Sequence, residues 1–102
     1  RSYDNGTYTL HGNEEETVFF VNTSKGSTTF YLPSNPQPDQ RYEIRKLHSG
    51  NSIIINAQNN GDIYVTGSNN PSSQISWTGR RCVTIQYSKN LDAWVMWFSY
   101  EA

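Results

Sequence analysis

Residues 91–102 read LDAWVMWFSYEA, and seven consecutive positions of that stretch, 94–100, hold two Trp, a Met, a Phe and a Tyr. An extended strand turns alternate side chains to opposite faces. One face of 93–100 therefore carries Trp94, Met96, Phe98 and Tyr100, and the other Ala93, Val95, Trp97 and Ser99. Both faces are largely apolar, so each needs cover. A central strand enclosed by its own chain would supply it, and so would a second copy packed against the outer face. We expect the second arrangement, with Trp94, Met96, Trp97, Phe98 and Tyr100 as candidate interface residues. Each aromatic ring buries about 150–250 Å². At about 25 cal/mol per Å², two rings contribute several kcal/mol before entropy.

Away from that ribbon the chain is polar. Only 34% of its 102 residues are hydrophobic, yet 14% are aromatic and 17% charged, which is not the composition of a disordered chain. The polarity comes from Asn, Ser and Thr, as in a β-protein with many turns. The length suits one domain spanning 1–102. A net charge of −1 provides no field to recruit nucleic acid or an acidic membrane. No apolar run approaches the roughly 20 residues that cross a bilayer as a helix. The start at Arg1 reads as a segment of a longer protein, with residues 1–5 as the end of a shaft or linker.

Helical periodicity is almost absent. Alternating and β-branched runs place strands near 6–10, 17–22, 27–32, 41–47, 52–56, 62–66, 74–77, 82–88 and 93–100. NTSKG (22–26) reads as a hairpin turn with Gly26 at its left-handed position, and SKNLD (88–92) as the turn of a C-terminal hairpin. PSNPQPDQ (33–40) holds three Pro and stays out of a central strand. No solenoid period repeats. The expected fold is all-β: a compact antiparallel β-sandwich of about eight to nine short strands.

Chemical motifs are sparse. His11 and His48 are isolated and Cys82 has no Cys partner, so neither a metal site nor a disulfide framework is expected. Cys82 reads as a buried, inert thiol. Glu14, Glu15 and Glu16 read as a solvated acidic loop. Asp39, Asp62, Asp92 and Glu43 could pair by accident of the fold as glycosidase carboxylates do, but each reads as a surface charge. No nucleophile elbow, phosphate loop or dinucleotide fingerprint occurs, and no enzymatic activity or cofactor is expected. Arg41, Arg45 and Lys46, and Arg80 with Arg81, read as solvated charges rather than a nucleic-acid groove. Asn5 and Asn22 open glycosylation sequons that matter only in a secretory pathway.

The order of turns and strands in TVFFVNTSKGSTTFYLPSNPQPDQRYEIRKLHSGNSIIINA (17–57) and VTIQYSKNLDAWVMWF (83–98) resembles the small all-β modules at the tips of viral fibres and phage tail fibres. The resemblance covers roughly residues 17–98. It carries no catalytic signature, and the Thr-Leu-Trp-Thr motif common at adenovirus shaft–head junctions does not occur. It implies a non-enzymatic homotrimer at the distal end of a fibre, on the virion surface, binding a host-cell receptor that is a protein or a glycan. Projecting loops would make the contact. TGSNNPSSQ (66–74) with its neighbours supplies the candidate receptor residues Asn69, Asn70, Trp77, Arg80 and Arg81. A structural decoration or assembly protein of the virion, and a carbohydrate-binding module of a larger enzyme, are the alternatives.

Overall fold

Val18, Phe19, Phe20 and Val21 alternate exposed, buried, exposed, buried in the computed structural model, which describes residues 1–58 and 61–100, with backbone alone for Tyr100. The same half-buried alternation recurs along most of the chain and produces ten strands. They are β1 (Ser2–Tyr3), β2 (Gly6–Thr9), β3 (Val18–Val21), β4 (Thr28–Tyr31), β5 (Arg41–Lys46), β6 (Ile53–Asn56), β7 (Ile63–Val65), β8 (Gln74–Trp77), β9 (Arg81–Ser88) and β10 (Ala93–Tyr100). All nine expected strands are present. The tenth, β1, lies in the segment read as a linker, and its Tyr3 is part of the core.

The strands form a six-stranded sheet, in the order β1-β3-β5-β9-β10-β7, and a four-stranded sheet, in the order β2-β4-β6-β8. Their inner faces meet in one core that includes Phe19, Phe30, Tyr42, Ile44, Ile55, Ile85 and Met96. Phe19 and Phe30 stack across the two sheets with ring centroids 5.7 Å apart. The radius of gyration is 12.7 Å, matching the roughly 13 Å of a compact chain of this length.

The expected antiparallel arrangement is corrected. From β1 to β6 the chain alternates between the two sheets, and strands of successive passes pair in parallel: β1 with β3, β3 with β5, β2 with β4 and β4 with β6. Among these strands pairing turns antiparallel for β5 with β9, β9 with β10 and β6 with β8, whereas β7 joins β10 in parallel. The first six strands are thus a stack of three rungs, and the ribbon β9–β10 closes it. The stack leaves no repeat in the sequence because its passes differ in length. Ser2 lies beside Phe20 and Gly6 beside Thr28, whereas Val18 faces Glu43 and Thr28 faces Ile53. The sequence offset between neighbours therefore lengthens from the first pass to the next.

Backbone angles separate the two turns that the sequence makes look alike. A tight hairpin needs a residue with positive φ. The β9–β10 turn has one, Asp92 at φ 49°, and the two strands pair from Ala93 with Ser88 to Tyr100 with Arg81. The NTSKG segment has none, and Gly26 is not left-handed. It forms an arch that carries the chain from one sheet to the other, corrected here from a hairpin. Contacts with the next rung hold it: buried Thr23 donates its Oγ1 hydrogen to the Gly50 carbonyl at 3.3 Å, and Asn51 Nδ2 donates to the Thr23 carbonyl at 2.7 Å.

The aromatic ribbon divides between its two faces. Trp94 is 4% exposed and Met96 is fully enclosed, both within the core of the single chain. They need no partner copy. Phe98 packs edge-on to Trp77, with centroids 5.5 Å apart. Trp97 lies on the outer face, half-buried, with the Arg41 guanidinium 5.6 Å from its ring centroid. Tyr100 is described only through its backbone pairing with Arg81.

Candidate functional site

The strands run between two ends of the sandwich, and the ends are built differently. At one end lie the arch 22–27, the β5–β6 turn at 47–52 and the β8–β9 turn at 78–80. Lys46, the last residue of β5, sits there 1% exposed. Its ammonium donates to the carbonyls of His48, Gly50 and Thr78, the last two at 2.9 Å. Burial pulls its pKa below the ordinary lysine value. Lys46 is therefore a structural cation and not the solvated charge that the sequence suggests. It gathers two turns onto a single side chain.

The other end carries the turns after β4, β6 and β9, and these stand apart around a cleft of about 390 Å³. Its wall is made by Pro33, Ser34, Asn35 and Pro36 from the first turn and by Gln58, Gly61 and Asp62 from the second. The β9–β10 turn contributes Tyr87, Asp92, Ala93 and Trp94. Several contacts fix the three turns relative to one another. Gln58 Nε2 donates to the Leu32 carbonyl at 2.7 Å, and the Trp94 amide donates to the Asp62 carbonyl at 2.9 Å. The Tyr87 hydroxyl donates to Asp92 Oδ1 at 2.7 Å, and that bond raises the Tyr87 pKa. Tyr87 also meets Trp94 edge-on, with centroids 5.5 Å apart. Two prolines restrict the backbone of the first turn. Ser34, Asn35 and Asp62 are all exposed, at the rim of the cleft.

This end also holds a second concavity near Tyr8, Leu10, His11 and Glu14. Glu14 is not solvated as expected. It accepts the amides of His11 at 2.7 Å and Gly12 at 3.1 Å, and the hydroxyl of buried Tyr42 at 2.6 Å. Burial raises its pKa, but these hydrogen bonds outweigh burial and hold the carboxyl below its ordinary value. Glu14 thus locks the β2–β3 turn onto β5. Among the described residues no three His, Cys, Asp or Glu gather as metal ligands would.

The candidate receptor residues fall in two places. Asn69 and Asn70 are exposed in the β7–β8 turn, where Ser68 Oγ donates to the Asn70 carbonyl at 3.3 Å. Trp77 lies at the other end of β8, 7% exposed, and its indole donates to the Arg81 carbonyl at 3.2 Å. Arg80 is exposed in the adjoining turn, and the Arg81 guanidinium lies 5.6 Å from the Phe98 ring centroid. These five residues do not converge on one cavity. Cys82 is half-buried on the outer face, between Arg45 and Ser99, rather than inside the core. Asp39 turns the chain at φ 61°, and Glu43 pairs with Arg45 at 3.4 Å on the outer face.

Asp62 and Asp92, by contrast, do come together on one cleft. Sequence reasoning considers both as carboxylates but has no signal that would join them to Asn35, Gln58 and Tyr87. Asp62 and Asp92 are distant in sequence, and only the placement of β10 between β9 and β7 makes them neighbours. No model of a known protein family matches this chain, and no curated protein matches it, so the geometry of this open end has to carry the functional reading.

Proposed function

We propose that the domain is a non-enzymatic attachment module, the head of a viral fibre, that meets a host-cell receptor through the open end of its sandwich. The observation that carries this reading is the cleft of about 390 Å³ lined by residues 33–36, Gln58, Gly61, Asp62, Tyr87 and 92–94. Its size is that of a ligand pocket, and rigid sheets hold its three turns. Three parallel rungs stacked along one direction also suit a module that continues a long fibre. In this reading three copies assemble, and several weak sites on one particle add by avidity. The outer face of the six-stranded sheet supports that assembly. It leaves Val18 and Phe20 exposed, Phe20 by 42%, and presents Trp97 on the same face.

Fluorescently labelled domain, added to panels of bacterial and animal cells, tests attachment by flow cytometry. Saturable binding that unlabelled domain displaces is expected, and the same unlabelled domain should reduce infection. Absence of cell binding across the panels rejects attachment and favours a structural role in the particle. Light scattering over a range of concentrations tests the assembly. A mass of three chains is expected, falling to one on Trp97→Ser; a single chain at every concentration rejects the trimer.

A further inference from the structure

Resting on that reading, we infer that the cleft lined by residues 33–36, Gln58, Gly61, Asp62, Tyr87 and 92–94 binds a neutral carbohydrate. The lining chemistry makes the selection. Ser34, Asn35, Gln58, Asp62, Tyr87 and Asp92 bring hydroxyl, amide and carboxylate groups from three turns to one cavity. Planar carboxylates and amides each present two adjacent hydrogen-bonding atoms, which suits the vicinal hydroxyls of a sugar. Gln58 spends one amide hydrogen on the Leu32 carbonyl, which orients the group and leaves its oxygen available. Asp92 is oriented in the same way by Tyr87. Pro36 and the Tyr87 ring, backed by buried Trp94, supply the part-exposed apolar wall for the C–H face of a pyranose ring. About 390 Å³ accommodates one or two sugar units rather than a protein surface.

Charge narrows the class further. The lining holds two carboxylates, Asp62 and Asp92, and no Lys, Arg or His among the described residues. An anionic sugar, sialylated or sulfated, would enter against like charge with no cation to pair it. A neutral hexose or N-acetylhexosamine meets acceptors for its hydroxyl hydrogens and amide donors for its oxygens.

The test is a titration of the isotope-labelled domain with glucose, galactose, mannose, N-acetylglucosamine, lactose and sialyllactose. Each is taken to about 10 mM, which covers the millimolar dissociation constants of weak single sites. The expected result is saturable shifts of the Asn35 and Gln58 side-chain amides and the Trp94 indole with at least one neutral sugar. Sialyllactose should bind no better than lactose. Asn35→Ala and Asp62→Ala change rim side chains and keep the backbone contacts, so both should melt as the parent does while binding at least tenfold more weakly. No saturable shift with any neutral sugar, shifts outside the cleft, or preference for sialyllactose overturns the inference. Cell binding separates this from the attachment reading. Sugar binding without cell binding keeps the carbohydrate site and removes attachment. Cell binding that survives periodate treatment of the cells but is lost with Asn35→Ala keeps attachment and removes the carbohydrate.

Discussion

The two ends of this sandwich receive strands from the same two sheets, yet at one the turns are tied together by a buried side chain and at the other they stand apart around a cleft. At the tied end Lys46 places an ammonium among three carbonyls, and Thr23 and Asn51 tie the arch to the next turn. At the open end the fixing bonds run behind the wall, from Gln58 to Leu32 and from Trp94 to Asp62, and leave polar side chains facing the cleft. The difference is one of where hydrogen-bonding capacity is used. A buried donor that satisfies several carbonyls closes a surface. Side chains that use only part of their capacity on the scaffold keep the remainder for a ligand.

Lys46→Met should give the largest effect, because it replaces the donor with an apolar chain, takes the ammonium from the His48 carbonyl and leaves the Gly50 and Thr78 carbonyls with only the Thr23 hydroxyl and the Gly50 amide. Unsatisfied groups of this kind cost about 1–3 kcal/mol each. A loss of about 2 kcal/mol in urea unfolding is expected, and a loss below about 1 kcal/mol would mean that water takes over the His48 carbonyl. Asp92 tests the opposite end. Asp92→Ala removes the Tyr87 bond and leaves a side chain at φ 49°, whereas Asp92→Gly removes only the bond. The alanine variant should be the less stable by about 1 kcal/mol; equal stabilities would show that the turn relaxes.

Glu14 gives a smaller, pH-dependent contrast. Its folded carboxyl lies below the ordinary value of 4.5, so its hydrogen bonds contribute fully above that pH and are lost as pH falls through the lowered folded value. Glu14→Gln should flatten the acid limb of the stability curve measured by thermal melts between pH 2 and 7, and an unchanged limb would count against the lock on β5. The smallest stability effect belongs to Asn35→Ala at the rim, within about 0.5 kcal/mol of the parent. A larger loss would make Asn35 part of the scaffold rather than of the cleft.

Alternation of apolar and polar residues along short segments is enough to locate nine strands and to exclude helices. That pattern is local, arising from the two-residue period of an extended chain. The β9–β10 hairpin is legible for the same reason, since a short polar turn between two long apolar runs closes on itself. Sheet membership is not legible. A hairpin and an arch need the same kind of polar, Gly-containing segment, and the choice at NTSKG rests on φ values and on contacts with Gly50 and Asn51 in the following rung. The parallel stack is equally hidden, because its passes differ in length and carry no common period. Trp94, Met96 and Lys46 show the limit most clearly. Composition alone makes the first two candidates for an interface and the third a solvated charge, but burial is a property of what the rest of the chain places around a side chain. The meeting of Asn35, Gln58, Asp62, Tyr87 and Asp92 on one cleft depends on the same long-range packing, which no short window of sequence contains.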